Sequence, residues 1–333
     1  KDLKQLDAAV ESYDRAIGIN PKYGEAYYNR GIALAEIGAH DAAIENFSRA
    51  VGFAPNFAGG HFNLGNALAG RGRFDAAIES FDKAIALRPD YAEALSNRGN
   101  ALRKVDRLDD ALASYDAAVA ARPDYPAAYS NRGNTLIERG EFVFAIESFD
   151  KAIALKADYA EAHCNRGNAL NALGQRDAAL ASYDAAIAID PAYVDAHTNR
   201  GNVLLALRQL HGALAAYERA LALRPDHAEA HYNRAIALAE LEQFEAALAS
   251  YDRAIAIAPD YAEAHHNQGQ IYLSGFQFEQ GWEKYDWRWR TKEIAAKAMD
   301  TPKPRWQGDK SSKRLLIWSE QGIGDQILYG TML

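Results

Sequence analysis

The chain has 333 residues, of which 49% are hydrophobic and 25% charged, and its formal net charge is −8. This composition excludes wholesale disorder, because enough apolar residues are present to bury a core. The acidic balance and the lack of a run of Lys and Arg argue against binding of nucleic acid or of anionic membrane surfaces. No apolar stretch reaches the roughly 18 residues that a bilayer-spanning helix needs.

Cys164 is the only cysteine, so an intramolecular disulfide is impossible. A single thiol fits a reducing compartment. Because no signal peptide is recognisable either, the sequence predicts a cytoplasmic protein.

Four columns of residues recur along the chain with one period of 34 residues. The asparagine column comprises Asn29, Asn63, Asn97, Asn131, Asn165, Asn199, Asn233 and Asn267. The alanine column comprises Ala16, Ala50, Ala84, Ala118, Ala152, Ala186, Ala220 and Ala254. Aromatic residues such as Tyr115 and prolines such as Pro123 keep the same period. Agreement of four independent columns indicates tandem repeats, which overrides the estimate of about two domains from length alone.

Each repeat is predicted to form two helices, as residues 92–125 illustrate. Apolar residues at helical spacing predict a first helix over 92–105. Asp109 is expected to cap the second helix. Pro123 is expected to close it, because proline lacks the N–H group that a continuing helix needs.

Small residues at fixed places in the repeat predict close helix packing. Gly99 on the first helix, with Ala111 and Ala118 on the second, is expected to let the two backbones approach. Tyr115 is expected to fill the gap towards the neighbouring unit. One such hairpin cannot bury its apolar face alone, so stability is expected to be shared between stacked neighbours.

The order of aromatic or Leu, Gly or Ala, then Ala, Phe or Tyr, Ala and Pro resembles the tetratricopeptide-repeat (TPR) family. The resemblance covers about residues 1–295 and implies an all-α, right-handed superhelix. The predicted boundaries are 1–23 for the second helix of an incomplete repeat, 24–57, 58–91, 92–125, 126–159, 160–193, 194–227 and 228–261 for seven full units (24–261), 262–295 for a degenerate eighth unit, 296–312 for a linker and 313–333 for the start of an α/β domain.

Two charged columns vary together. An arginine follows most of the recurrent asparagines, and an acid stands sixteen residues before it. Where the arginine is replaced by Leu64, the acid is replaced by Ser48. We expect ion pairs between the second helix of one unit and the first helix of the next; two solvated columns that merely coexist are the alternative. The central predicted pairs are Asp82–Arg98, Asp116–Arg132, Asp150–Arg166 and Asp184–Arg200.

The asparagine column predicts a binding groove. In TPR proteins the first helices line the concave surface, and each amide offers both donors and an acceptor to an extended peptide. The ladder resembles the repeat region of protein O-linked N-acetylglucosamine transferases. Alternatively, the amides bond only to the neighbouring unit. A second column one helical turn further along comprises Asn66, Asn100, Asn134, Asn168 and Asn202.

An acidic series near the start of the first helices favours a basic or neutral peptide over the acidic tails of chaperones. Histidines also recur with the repeat period, but ligands in successive units stand too far apart to share a metal. We therefore expect packing histidines, no metal site and no cofactor. The acids are Glu25, Glu93, Glu161, Asp195, Glu229 and Glu263, and the histidines are His61, His163, His197, His231 and His265.

After residue 300 the pattern changes to a Pro- and Gly-containing linker, a short apolar run and a glycine loop with Gly322, Gly324 and Asp325. A strand, a glycine loop and a helix start are typical of nucleotide-binding α/β folds. The run resembles bacterial proteins in which TPRs precede a heptosyltransferase-like, two-lobed (GT-B) glycosyltransferase domain. That resemblance implies a nucleotide-sugar loop and a base at Asp325; a helix cap at Asp325 is the alternative.

So little of an α/β domain cannot close a core, so the chain is expected to be a fragment that is not itself catalytic. The sequence thus predicts a scaffold that binds a protein or peptide. The alternatives are the repeat region of a glycosyltransferase, with a nucleotide sugar bound only by the full-length protein, and a structural spacer.

Overall fold

The computed structural model describes residues 3–291, and every regular element in that range is helical, which confirms the predicted all-α class. The predicted boundaries at 296–312 and 313–333 lie outside the described residues. The elements are α1 Leu3–Ile19, α2 Gly24–Ile37, α3 His40–Phe53, α4 Ala58–Gly70, α5 Phe74–Leu87, α6 Ala92–Lys104, α7 Leu108–Ala121, α8 Pro126–Glu138, α9 Phe142–Leu155, α10 Ala160–Ala172, α11 Arg176–Ile189, α12 Val194–Ala206, α13 Leu210–Leu223, α14 Ala228–Glu240, α15 Phe244–Ile257, α16 Ala262–Ser274, α17 Phe278–Tyr285 and a 3₁₀ helix Asp286–Arg290.

The chain divides into two compact units inside α12, the first ending at Val203 and the second beginning at Leu204. Within each unit, antiparallel hairpins follow one another, and each second helix also contacts the first helix of the next hairpin. In the first unit, the first helices α4, α6, α8 and α10 also contact one another in sequence. Residues at one place in the repeat are thereby carried on neighbouring helices.

The predicted cap at Asp109 is wrong. The second helix of that hairpin begins one residue earlier, at Leu108, and Arg107 precedes it without a side-chain cap bond. The Arg107 carbonyl accepts the first helical bond, from Ala111 N–H at 3.0 Å. Asp109 instead lies in the first turn, where its charge favours the helix dipole, and its carboxylate contacts Arg139 at 2.5 Å.

Glycines on the first helices make room for aromatic rings of the second helices. A Cβ atom on Gly99 would lie 2.7 Å from the ring of Tyr115, a contact too short to exist. The ring therefore fills the space over Gly99 within its own hairpin. Its hydroxyl also lies beside Thr135 of the next hairpin, the direction that the sequence predicted. Tyr115 is fully buried, as are Ala111 and Ala118 beside it.

The last described hairpin differs from the others. Its second helix, α17, has 8 residues, against 14 in α15, and a 3₁₀ helix follows directly. Trp287 of this 3₁₀ helix stacks on His265 of α16 with ring centroids 3.9 Å apart. The guanidinium of Arg290 lies over the Trp287 ring, with its Cζ atom 4.4 Å from the ring centroid. Aromatic stacking thus replaces the missing helical turns.

Candidate functional site

The two asparagine columns of the first unit form a hydrogen-bonded ladder along the first helices. In each bond, an asparagine on one first helix donates from its Nδ2 to the Oδ1 of an asparagine on the preceding first helix. All of these asparagines are half-buried. The bonds are Asn97 to Asn66 at 2.8 Å, Asn165 to Asn134 at 2.9 Å and Asn199 to Asn168 at 2.9 Å. The structure therefore brings the two predicted columns together, and each bond joins one repeat to the next.

Buried tyrosines of the second helices donate hydrogen bonds to asparagines of the second column. Tyr115 donates its hydroxyl to Asn100 Oδ1 at 2.7 Å, and Tyr183 donates to Asn168 Oδ1 at 2.9 Å. Burial raises the pKa of Tyr115 to about 12, so the phenol stays protonated and remains a donor at neutral pH. Asn168 Oδ1 thus accepts two hydrogen bonds, which fixes the orientation of its amide.

Tyrosines not foreseen from the sequence replace the acceptor asparagine in two further bonds, one in each compact unit. Asn63 donates to the Tyr28 hydroxyl at 2.9 Å, and Asn267 donates to the Tyr232 hydroxyl at 3.2 Å. Both tyrosines stand at one place in the repeat, four residues before an isoleucine that replaces the second-column asparagine. That shared exchange of Asn for Ile was the signal in the sequence.

The remaining predicted amides are placed differently. Asn29 lies on α2 and Asn131 on α8, both half-buried, and neither amide bonds to another side chain among the described residues. Asn202 on α12 and Asn233 on α14 are also half-buried. At some steps the asparagines therefore bond between consecutive hairpins, which is the alternative to peptide binding, while the Asn131 amide makes no side-chain hydrogen bond within the described residues.

The predicted acid–arginine pairs are each close, and each joins the second helix of one hairpin to the first helix of the next. The Nε–Oδ1 distances are 2.5 Å for Arg98–Asp82, 2.7 Å for Arg132–Asp116, 2.6 Å for Arg166–Asp150 and 2.6 Å for Arg200–Asp184. Arg30 pairs with Asp14 in the same way. The arginines are mostly covered while the acids are about half exposed, so water screens part of each attraction.

A serine column completes these contacts, and the sequence analysis missed it. In three of these hairpins the arginine Nη1 atom also donates to a buried serine, at 2.6 Å for Arg98–Ser114, 2.6 Å for Arg132–Ser148 and 2.8 Å for Arg166–Ser182. Ala216 stands at the serine's place in the hairpin of Arg200. The Ser148 hydroxyl is free to accept because it donates its own proton to the Phe144 carbonyl, at 2.9 Å. The arginine thus bridges three helices. The serines recur with the repeat period, which was the available signal.

Two steps of the second unit depart from this arrangement. Gln268 replaces the arginine and donates to Asp252 Oδ1 at 2.6 Å, so the contact survives without a full ion pair. Arg234 donates to Ser250 at 3.3 Å, but its buried Nε atom has no hydrogen-bond partner. Glu218 does not form the expected ion pair with Arg234.

Sequence profiles agree with this repeated geometry. Profiles described as tetratricopeptide repeat match residues 62–126, 198–273 and 24–57, and a profile described as TPR repeat matches 1–38, 133–174 and 167–207. Together these matches cover most of the chain. The chain belongs to the TPR family.

The chain is similar to several proteins, one of which shares its fold over 98% of that protein's length. A TPR protein of Parabacteroides merdae has 17% identity and a TM-score of 0.58, covering 75% of this chain and 98% of its own. YrrB, described as a TPR protein with an unusual peptide-binding site, has 30% identity and a TM-score of 0.49, covering 57% of this chain and 98% of its own. Protein FlbA of Caulobacter vibrioides is 40% identical over 55 residues, which span 16% of this chain and 9% of FlbA.

The recurrent histidines hold the turns between TPR hairpins. Each Nε2 contacts the carbonyl oxygen six residues earlier, at 2.9 Å for His61–Pro55, 3.2 Å for His163–Ala157, 3.1 Å for His197–Pro191, 3.0 Å for His231–Pro225 and 2.9 Å for His265–Pro259. A carbonyl only accepts, so Nε2 carries the proton. Burial lowers the pKa of His231 and of His265, which favours the neutral ring. These histidines therefore act in packing.

The remaining features considered in the sequence are the single cysteine, membrane spans, metal sites and the glycine loop. Cys164 is buried, and burial raises its pKa to about 11, so its thiol is unreactive at neutral pH. No described helix combines the length and apolar character of a membrane span. Within residues 3–291, no three His, Cys, Asp or Glu side chains are grouped to hold a metal. Gly322, Gly324 and Asp325 lie outside the described residues.

The chain itself supplies the variants that test the ion-pair column. Changing Arg132→Leu and Asp116→Ser reproduces the natural combination of Leu64 with Ser48. We expect either single change to destabilise α7–α8 packing and the double change to destabilise it less than the sum. The coupling free energy should be about 1 kcal/mol, because Asp116 is 57% exposed and the pair is partly screened.

A double-mutant cycle by urea unfolding measures that coupling, and a repeat of the cycle in 1 M salt provides the control. The coupling should shrink at high salt. Strict additivity of the two changes in both buffers contradicts a stabilising pair.

Proposed function

We propose that this TPR region is a scaffold that binds an extended peptide or protein segment along the amide ladder of the first helices. The observation that carries the proposal is the Asn131 amide, which stands in line with the ladder but bonds to no other side chain in the described range. An extended backbone presents alternating N–H and C=O groups, and each amide side chain offers partners for both. Such contacts depend little on the sequence of the peptide.

Charge near the start of the first helices supports a basic or neutral partner. Glu25 and Glu161 are exposed there, on α2 and α10. Glu93 is engaged by Arg122, whose hydrogen bond is the largest cause that lowers the pKa of the Glu93 carboxyl. An acidic peptide would be repelled by the exposed acids, and a basic one attracted.

A glycosyltransferase role of a longer protein is supported only by the resemblance of residues 306–325, with Asp325 as base and Gly322 and Gly324 in the nucleotide-sugar loop. Under that proposal the repeats present a substrate to the catalytic domain. A cytoplasmic location rests on the single cysteine and the absence of an apolar run in the sequence.

The amide pair Asn131 and Asn165 tests the scaffold proposal. We expect the double change to Ala to weaken retention of a mixed library of acetylated, amidated decapeptides about tenfold or more, since each lost hydrogen bond is worth about 0.5–1.5 kcal/mol. Retention on the immobilised chain, read by mass spectrometry, is the measurement.

Asn171→Ala provides the matched control, because this asparagine is exposed on α10 outside the two columns. It should leave retention unchanged. Asn131→Ala alone should weaken retention without changing the unfolding free energy. Equal retention by the double variant, the control and the unaltered chain refutes binding along the ladder.

A further inference from the structure

A cavity of about 360 Å³ that is widely open to solvent lies in the second unit, between the first helices α14 and α16. Tyr251 of α15 forms its floor, and Ile236, Ala239 and Ile271 give it an apolar lining. Asn267, Gln270 and Ser274 contribute polar groups on the α16 side. The volume is at the lower end of the range for ligand pockets and exceeds that of one aliphatic side chain.

The cavity coincides with a break in the repeat pattern. Ile236 stands where the preceding repeats carry a second-column asparagine such as Asn202. Ala239 stands where the preceding repeat carries Leu205. An apolar side chain thus replaces a ladder amide, and a small side chain replaces a large one, at neighbouring positions on α14. The hollow between α14 and α16 therefore lies at a place where earlier repeats carry an amide in the sequence.

Among the described residues that line the cavity, Glu240 alone is charged. Its carboxylate contacts Arg208 Nη1 at 2.7 Å, and the Arg208 side chain is 72% exposed. Exposed pairs of this kind contribute little net stability. A lysine or arginine of a ligand can therefore take the place of Arg208 beside Glu240 at small cost, while Arg208 returns to solvent.

We propose that this cavity anchors one aliphatic side chain, of leucine or isoleucine size, from a bound peptide, and that Glu240 receives a lysine or arginine adjacent to it. The exposed Gln270 stands at the rim, where its amide carbonyl can accept a main-chain N–H group. This inference rests on the proposed peptide-binding function and adds to it a sequence preference, an aliphatic residue next to a basic one.

The test uses the full chain and a positional-scanning library of acetylated, amidated hexapeptides. Enrichment should favour Leu or Ile next to Lys or Arg. In Ala239→Leu, which reproduces Leu205, the side chain fills the cavity, and affinity for an enriched peptide should fall at least tenfold because the burial of one aliphatic side chain is lost. In Glu240→Ala, the preference for Lys over Ala beside the aliphatic residue should disappear.

Glu138→Ala is the matched control, because Glu138 holds the same place in the repeat but lies in the first unit. It should preserve the preference for the basic residue, and circular dichroism should show the same helix content in all variants. Unchanged affinity in Ala239→Leu overturns the anchor while leaving the ladder proposal standing. Absence of any retained peptide overturns both, and loss of the preference for Lys in Glu138→Ala assigns the charge effect elsewhere.

Discussion

Replacing Tyr183 with Ala is expected to lower the free energy of unfolding of the α10–α11 hairpin by about 3–5 kcal/mol, the range for removing a large aromatic side chain from a core. Tyr183 is 1% exposed, and its ring occupies the space over Gly167. Its hydroxyl also holds the amide of Asn168 at 2.9 Å. The substitution therefore leaves a cavity and releases a ladder amide at the same time.

Hydrogen exchange of the α10 and α11 amides measures this loss locally, which suits a repeat protein whose hairpins need not unfold together. Tyr183→Phe is the control, because Phe149 fills the same place in the preceding repeat. It should cost about 1 kcal/mol or less, since Asn168 still accepts from Asn199. Equal losses for the Ala and Phe variants would show that the hydroxyl, and not the ring, stabilises the hairpin.

Replacing Gly99 with Val is expected to destabilise the α6–α7 hairpin by about 3 kcal/mol, near the upper end for overpacking a core. A single Cβ atom at this position already lies 2.7 Å from the Tyr115 ring, and valine adds two further carbons. The ring cannot move aside easily, because Tyr115 is fully buried and bonded to Asn100.

Gly99→Ala distinguishes crowding from a general intolerance of change. Ala235 and Tyr251 occupy the equivalent places in the second unit and are both buried, so one methyl group fits after a small shift. The Ala variant should therefore lose much less stability than the Val variant in urea unfolding. When Tyr115→Ala is added to both, the difference in stability between the Val and Ala variants should disappear. A Val variant as stable as the unaltered chain would show that the ring has room to move.

The repeat, its two helices and the helical class followed from the sequence because burial imposes them. Residues such as Gly99 and Tyr115 recur wherever a ring must cover a helix backbone, and recurrence is visible without coordinates. The helix starts were less predictable. Asp109 had the chemistry of a cap, but a helix that begins at Leu108 leaves it in the first turn, and one residue of offset decides between the two roles.

The site was only partly predictable, for a different physical reason. An amide has the same donors and acceptors for a neighbouring helix as for a peptide, so the sequence left the two possibilities for Asn165 open. Ser148 was missed because its role depends on three-dimensional proximity to Arg132. Arg234 shows the reverse case, since its expected acid is present but the carboxylate does not reach the guanidinium.

The three hairpins at 92–125, 126–159 and 160–193 carry the same acid, arginine and serine at their joints, which makes them interchangeable. Loss of residues 126–159 as one block would bring Asp116 to face Arg166, and Ser182 would still complete the contact. Between residues 92 and 193, a gene encoding such a protein can therefore gain or lose segments of one period by duplication or deletion, and each new junction meets matching partners. Segments of any other length would oppose mismatched side chains, so the period itself is held constant by the need to keep these joints in register.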